Sequence, residues 1–413
     1  MSSKKKIFFS WLWVSICTLF IFFIIPIART IRNFVVANWN VAFFGYSVLV
    51  IVSIVFLLSF YLLWFRLKIR ALSNYLWLTA VALVYVFFTF KLWERPEEAI
   101  HFLEYGLLGF LLFQALRHHV PDNGLFFIAF LIGALVGILD EALQWMIPRR
   151  IWDFRDLGIN ALSVGLFLVA IWKGIKPKLL GIHSQSRSIK IISYLLITYL
   201  VLFGLCFSNT PDRVQSYTKV LPFLSFLQKE EPMNEWKYKH MDPEIGVFFS
   251  RLEIEELNRI DTERAEEYGQ IFKEWTEKKY EDFLNYFPGY SQPFLYEMRV
   301  HVFRRNTRFW EANKTENEKI QKENLFIAYK ENLILEKYFG NTLQKTLYQW
   351  PKRRIEHIKG EIDVTLFYKS PVSAASPIPF QQKTLWGVII LIIIALVYLN
   401  IRISRQQNSS DSG

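Results

Sequence analysis

The sequence predicts an all-α integral membrane protein, with about eight transmembrane helices and a mainly helical extracytoplasmic domain between the last two. Three observations predict this class. Of the 413 residues, 52% are hydrophobic and 17% aromatic, a balance that soluble chains of this length rarely carry. Eight windows approach or exceed the roughly 20 apolar residues needed to cross a hydrocarbon core. The one long polar stretch, Asn209 to Thr384, falls between the seventh window and the eighth.

Taken in order, the expected spans are Ile7–Ala28, Val41–Phe65, Tyr75–Trp93, Ala99–Leu116, Leu125–Ile147, Leu157–Trp172, Ile191–Ser208 and Leu385–Ile401. The first follows a basic start, "MSSKKK", as a secretory signal would. Its apolar run exceeds the usual length of about 7–15 residues, and no small-x-small cleavage site follows "IIPIART", so an uncleaved helix is expected. The chain then divides into residues 1–93 (three transmembrane helices), 94–172 (a helical block rich in ionisable residues) and 173–208 (a basic cytoplasmic loop and the seventh helix). Residues 209–384 form the extracytoplasmic domain, and residues 385–413 the last helix with a short cytoplasmic tail.

The net charge of +11 is located in the membrane part. Between Asn209 and Thr384 there are 27 Lys plus Arg and 27 Asp plus Glu, which cancel. With the N-terminus inside, Lys4–Lys6, Arg66, Lys68, Arg70, Arg117, Lys173, Lys176, Lys178, Arg187, Lys190, Arg402 and Arg405 are cytoplasmic. The opposite loops hold Arg29, Arg32, Arg95, Arg149, Arg150 and Arg155. That bias follows the positive-inside rule and places both termini in the cytoplasm. It also explains the charge without nucleic acid, which is excluded as a partner. Cys17 and Cys206 fall in separate spans and read as buried small apolar residues, with neither a disulfide framework nor metal spacing.

In the polar region the spacing predicts helices over Glu263–Phe287 and Glu316–Trp350, the latter interrupted by Gly340. "PFLYEMRVHVFRR" fits a helix or a strand, because Met298, Val300 and Val302 alternate. "EIDVTLFYKSP" reads as a strand, and "SPVSAASPIP" as a linker.

The chemistry concentrates in the middle block. Ionisable side chains inside membrane helices cost about 2.5–3.5 kcal/mol each on insertion scales and therefore face a polar interior or an interface. Glu97, His101 and Tyr105 recur at i, i+4, i+8, one helix face, with Glu104 near it. Asp140 and Gln144 share a face at the end of the fifth span, and Glu141 lies about 100° around from Asp140. Pro148 marks a turn. Asp153, Asp156 and Asn160 form a further stripe at the entry of the sixth span. In the eight-span topology these three stripes meet at one depth, at the outer surface.

"HFLEYGLLGF" followed by "EALQWMIPRRIWDFRDLGIN" resembles the VanZ-like family of membrane proteins. The match runs through Glu97, His101, Phe102, Tyr105, Glu141, Gln144, Pro148, Arg150, Asp153, Asp156 and Asn160, within roughly residues 75–172. Two departures stand out: Glu98 replaces a Lys that often follows the first acidic residue, and Ser163 stands where a Gly is usual. The family's namesake is associated with reduced susceptibility to the glycopeptide teicoplanin. The resemblance implies an envelope role and no particular reaction.

The candidate ligand-binding residues are thus Glu97, His101, Tyr105, Glu141, Gln144, Arg150, Asp153, Asp156 and Asn160. The plainer alternatives are an interfacial helix start for the first three and charge pairing across a short turn for Arg149, Arg150, Asp153 and Asp156. In the sharper reading Arg150 docks an anionic headgroup, since a guanidinium suits phosphate or carboxylate. His101 with Glu97, Asp140 or Glu141 could hold zinc or manganese, but one His without an H-E-x-x-H motif leads us to expect no metal and no cofactor. His118 and His119 are expected at the cytoplasmic interface.

Three functions are in competition. The first is non-enzymatic binding of a membrane lipid, a lipid-linked envelope precursor or an amphiphilic antibiotic. The second is an enzyme on a lipid-linked phosphate, with His101 as base beside Glu97 or Glu141. The third is an envelope scaffold whose outer domain recruits a protein partner.

Overall fold

The computed structural model describes residues 3–147, 150–175, 185–228, 232–235, 237–373 and 381–411. About 76% of it is helical, with little sheet. It divides into two compact units: Met1–Ser208 with Gln382–Gly413, and Asn209–Gln381.

The first unit is a helical bundle. Its helices are α1 (Ser3–Ile24), α2 (Ala28–Asn38), α3 (Ala42–Tyr61), α4 (Leu72–Lys91), α5 (His101–Leu116), α6 (Gly124–Met146), α7 (Phe154–Val169), α8 (Ser186–Phe207) and α17 (Gln382–Asp411). Among the described residues, eight of the chain's helices are long and apolar enough to cross a membrane; of this set only α2 is too short. This is the make-up of a multi-pass helical membrane protein. α5 and α6 are buried along most of their length, whereas α1, α3 and α17 turn many exposed apolar side chains outward and α8 is mostly half-buried.

Pro26 explains the one departure among the early helices. Lacking an N–H and clashing with the preceding turn, it ends α1 at Ile24, short of the expected Ala28. A separate amphipathic helix, α2, follows, with Phe34 and Trp39 exposed and Val35 buried.

α5, α6 and α7 pack closely because small residues meet at their crossings. A Cβ on Gly133 of α6 would stand 2.8 Å from both Val164 methyls, and one on Gly109 of α5 would stand 3.3 Å from the Val164 carbonyl. Apolar burial gives little drive between helices in lipid, so such close approach supplies the contact. Tyr105, Leu108, Leu112, Leu125, Ala129 and Val164 form the centre, with Val14, Cys17 and Ile21 of α1 against it. Polar glue joins α4 to this core: the Tyr85 hydroxyl donates to the Ser163 carbonyl at 2.9 Å, and Ser163 Oγ to the Phe102 carbonyl at 2.8 Å. Ser163 is thus a buried link among three helices.

The second unit contains α9 (Pro211–Val220), β1 (Tyr238–Asp242), β2 (Gly246–Ser250), α10 (Ile254–Glu263), α11 (Ala265–Glu274), α12 (Tyr280–Tyr286), α13 (Pro293–Lys314), α14 (Glu318–Tyr338), α15 (Gly340–Gln344), α16 (Lys352–Glu361) and β3 (Tyr368–Lys369). The paired helices α13 and α14 carry the core, on which Phe248, Phe272, Phe283 and Phe339 pack. β1 and β2 pair antiparallel, Tyr238 opposite Ser250, and β3 adds parallel to β2. At Gly246, where φ is +108°, a Cβ would strike the Tyr368 carbonyl, so the turn and the pairing both require glycine there.

Several expectations change here. The helix expected over Glu263–Phe287 is broken near Trp275, which lets Phe272, Trp275, Phe283 and Phe287 fold onto one another as a ring cluster. "PFLYEMRVHVFRR" is helical: Met298, Val302 and Arg305 share a fully buried face, while Val300 is only half-buried. Of "EIDVTLFYKSP" only Tyr368–Lys369 is strand, because α16 runs to Glu361. The β1–β2 hairpin had no expected counterpart. Most of "SPVSAASPIP" lies outside the described residues.

Candidate functional site

The start of α5, the end of α6, the start of α7 and the corner between α1 and α2 meet at one end of the bundle. Pro96 opens a 3₁₀ turn, Pro96–Ile100, that runs into α5. The tighter turn rotates Glu97 off the His101–Tyr105 face. The expected three-residue stripe is therefore broken. Glu97 turns instead to Arg32 of α2, with Oε1 2.6 Å from Nε.

Behind this rim, Tyr105 is fully buried and its hydroxyl donates to Asp140 Oδ2 at 2.9 Å. Glu141, 1% exposed like Asp140, accepts from Gln144 Nε2 at 3.2 Å and from the Asp153 backbone N–H at 3.5 Å. Gln144 thus serves Glu141 through an i, i+3 contact. Asp153 precedes α7 and caps it, accepting from the Arg155 N–H at 2.7 Å, which removes it from the helical stripe of Asp156 and Asn160. Asn160 is 0% exposed, packed where Gly137 leaves room: a Cβ there would stand 3.3 Å from Asn160 Cβ and 3.8 Å from the Tyr105 ring.

The cations occupy the edge. Arg155 binds Glu98 at 2.6 Å and reaches Asp153 and Asp156 at 3.7 and 3.8 Å. Arg150 Nη2 donates to the Ile25 carbonyl at 3.2 Å, tying the α6–α7 connection to the end of α1. Burial and the nearby Arg29 guanidinium hold Arg150 below its ordinary pKa, against the pull of Glu141, Asp140 and Asp156. His101 Nδ1 lies 3.4 Å from Glu104 Oε2, within electrostatic reach of Asp140 and Asp156. Pro148 and Arg149 lie outside the described residues.

Among the described residues, this cluster holds buried polar atoms without a hydrogen-bond partner: Glu97 Oε2, His101 Nδ1, Asp140 Oδ1, Trp152 Nε1, Asp156 Oδ1, and both Oδ1 and Nδ2 of Asn160. Each such atom costs about 1–3 kcal/mol of desolvation. A group of them in one place is what a site for water or a ligand presents.

Sequence reasoning left Asp140 out of the binding set, and it sits at the centre. Arg155, placed by the sequence only among the outer-loop cations, bridges α7 to Glu98. No local spacing signals that bridge; an acidic and a basic residue on different helices carry no shared period.

Away from the cluster, His119 Nε2 accepts from the Trp11 indole at 3.1 Å, at the other end of α5. Cys17 is buried and Cys206 only half-buried; both are free thiols. Among the described residues no three of His, Cys, Asp and Glu come together to hold a metal ion. Comparison with protein-family models, curated proteins and solved structures found no match.

Proposed function

We propose that this is a VanZ-like multi-pass membrane protein whose polar cluster binds the headgroup of an envelope amphiphile: a lipid, a lipid-linked intermediate or a glycopeptide-type antibiotic. In this reading both termini are cytoplasmic, and the cluster and residues 209–384 are extracytoplasmic, as the distribution of short-loop Lys and Arg supports. The observation that carries the binding role is the group of unpartnered buried atoms centred on Asn160 and Asp140. Buried ionisable groups of membrane helices that keep unpartnered atoms are functional-site candidates by default. The enzyme reading gains less, because Glu97 is engaged by Arg32 and no longer shares the His101 face.

The experiment is native mass spectrometry of the full chain, extracted with its lipids, for the wild type, Asn160→Leu and Asp156→Ala. Loss of a co-purifying amphiphile from both variants, with insertion intact, is the expected result. Retention of the same amphiphile, together with unchanged glycopeptide susceptibility of the producing cells, contradicts it.

A further inference from the structure

The unpartnered atoms have a chemical bias. Asp140 Oδ1, Asp156 Oδ1, Asn160 Oδ1 and Glu97 Oε2 are acceptors, while Asn160 Nδ2 and Trp152 Nε1 are the donors, and His101 Nδ1 serves as either. Two of the described cations near these oxygens are already paired with acids, and His101 acts on Asp140, Glu141 and Asp156 only through space. Arg32 is held by Glu97, Arg155 by Glu98 with a longer reach to Asp156, while Arg150 gives one N–H to a backbone carbonyl and keeps the rest of its guanidinium. Asp140 and Glu141, each 1% exposed, have no Lys, Arg or His nitrogen within ion-pair distance among the described residues. Two buried carboxylates side by side, with Asp156 close by, call for positive charge and for hydrogen donors together. Fully buried Asn160, with neither amide atom bonded, adds an acceptor that is independent of the acids.

Resting on the binding role above, we infer that the ligand presents a protonated primary amine to Asp140, Asp156 and Asn160. An ammonium has three N–H donors in a compact charge, which suits a site whose unpartnered atoms are mostly acceptor oxygens. A phosphate or carboxylate would add acceptors to a site already rich in them. Arg150, at the edge, is placed to meet an anionic group on the same ligand, so an ammonium joined to a phosphodiester satisfies both ends.

The test is headgroup selectivity of the full chain in nanodiscs, by lipid exchange against phosphatidylethanolamine, phosphatidylcholine and phosphatidylglycerol. Phosphatidylcholine keeps the positive charge but has no N–H, and phosphatidylglycerol has no cation. We expect phosphatidylethanolamine to be retained about tenfold over both, the worth of one or two charge-assisted hydrogen bonds. We expect the preference to fall to about twofold or less in Asp140→Asn and in Asn160→Leu. Competition by free ethanolamine identifies a soluble amine as the source, and its failure to compete identifies a lipid headgroup; the ammonium assignment holds in either case. Equal retention of phosphatidylcholine, or preference for phosphatidylglycerol, overturns it. If that preference is itself lost in Asn160→Leu, the binding role survives with a different ligand. If neither variant changes any retention, the binding role fails too. The wild-type selectivity is readable even if a variant does not fold.

Discussion

The Tyr105 hydroxyl crosses from α5 to α6 and donates to one oxygen of Asp140 at 2.9 Å, leaving the other buried oxygen unpartnered. That half-satisfied carboxylate is buried near one end of the helix bundle. Tyr105→Phe removes this buried donor, so it should destabilise the bundle by about 1–3 kcal/mol while sparing its packing. Thermal unfolding in detergent measures this. An unchanged midpoint would mean that water already serves Asp140 as well as the phenol does.

The approach of α6 to α7 gives a second expectation with its own control. Gly133→Ala on α6 places a methyl 2.8 Å from both Val164 methyls, whereas at Gly158 on α7 a Cβ meets nothing within 4 Å. Gly133→Ala should cost about 1–3 kcal/mol through overpacking. Gly158→Ala should be neutral or gain about 0.5–1 kcal/mol from helix propensity. Equal behaviour of the two variants would contradict the close approach.

In the second unit the fully buried Glu331 gathers His301 Nδ1 at 2.5 Å, Arg304 Nε at 3.0 Å, Tyr368 OH at 2.5 Å and Ser370 Oγ at 2.9 Å. Burial raises its pKa, but the His301 charge and these donors more than offset that and hold it below the ordinary value. Glu331→Gln deprives His301 and Arg304 of their charge partner and should cost about 3–5 kcal/mol. A fall in the urea midpoint of the second unit in the full chain checks this; a loss confined to the first unit would contradict it.

Asp242 supplies the pH dependence. Burial pushes its carboxyl up, yet Lys337 at 2.6 Å, the Glu244 and Ile245 N–H groups and Tyr338 hold it below the ordinary 3.8. A carboxylate held down in the folded state adds stability above the unfolded pKa, and that stability is lost as pH falls through the lower folded value. The second unit should therefore weaken on acidification below 3.8, and Asp242→Asn should be less stable at neutral pH and flatter with acid. An identical slope in that variant would assign the acid sensitivity elsewhere.

The apolar windows make the helical bundle legible, because length and composition suffice where lipid is the solvent. Pro26 ends the first helix early. The short amphipathic α2 is invisible to a window tuned to about 20 apolar residues. In the second unit, helical and alternating patterns compete over Met298, Val300 and Val302, and only tertiary burial decides. At the site, the spacing of His101 and Tyr105 and of Asp156 and Asn160 marks the right helix faces. Glu97 and Asp153 leave those faces because a 3₁₀ turn and an N-cap occupy their positions. The ring of partners from distant helices, Arg32, Glu98 and Arg155, has no sequence period to reveal it.

The most direct measurement is an experimental density map of the full chain in lipid nanodiscs at a resolution that shows ordered water. The account predicts a headgroup within hydrogen-bond distance of Asn160 and Asp140. Asn160 and Asp140 bonded to each other or to other side chains, with no ligand between them, would contradict it.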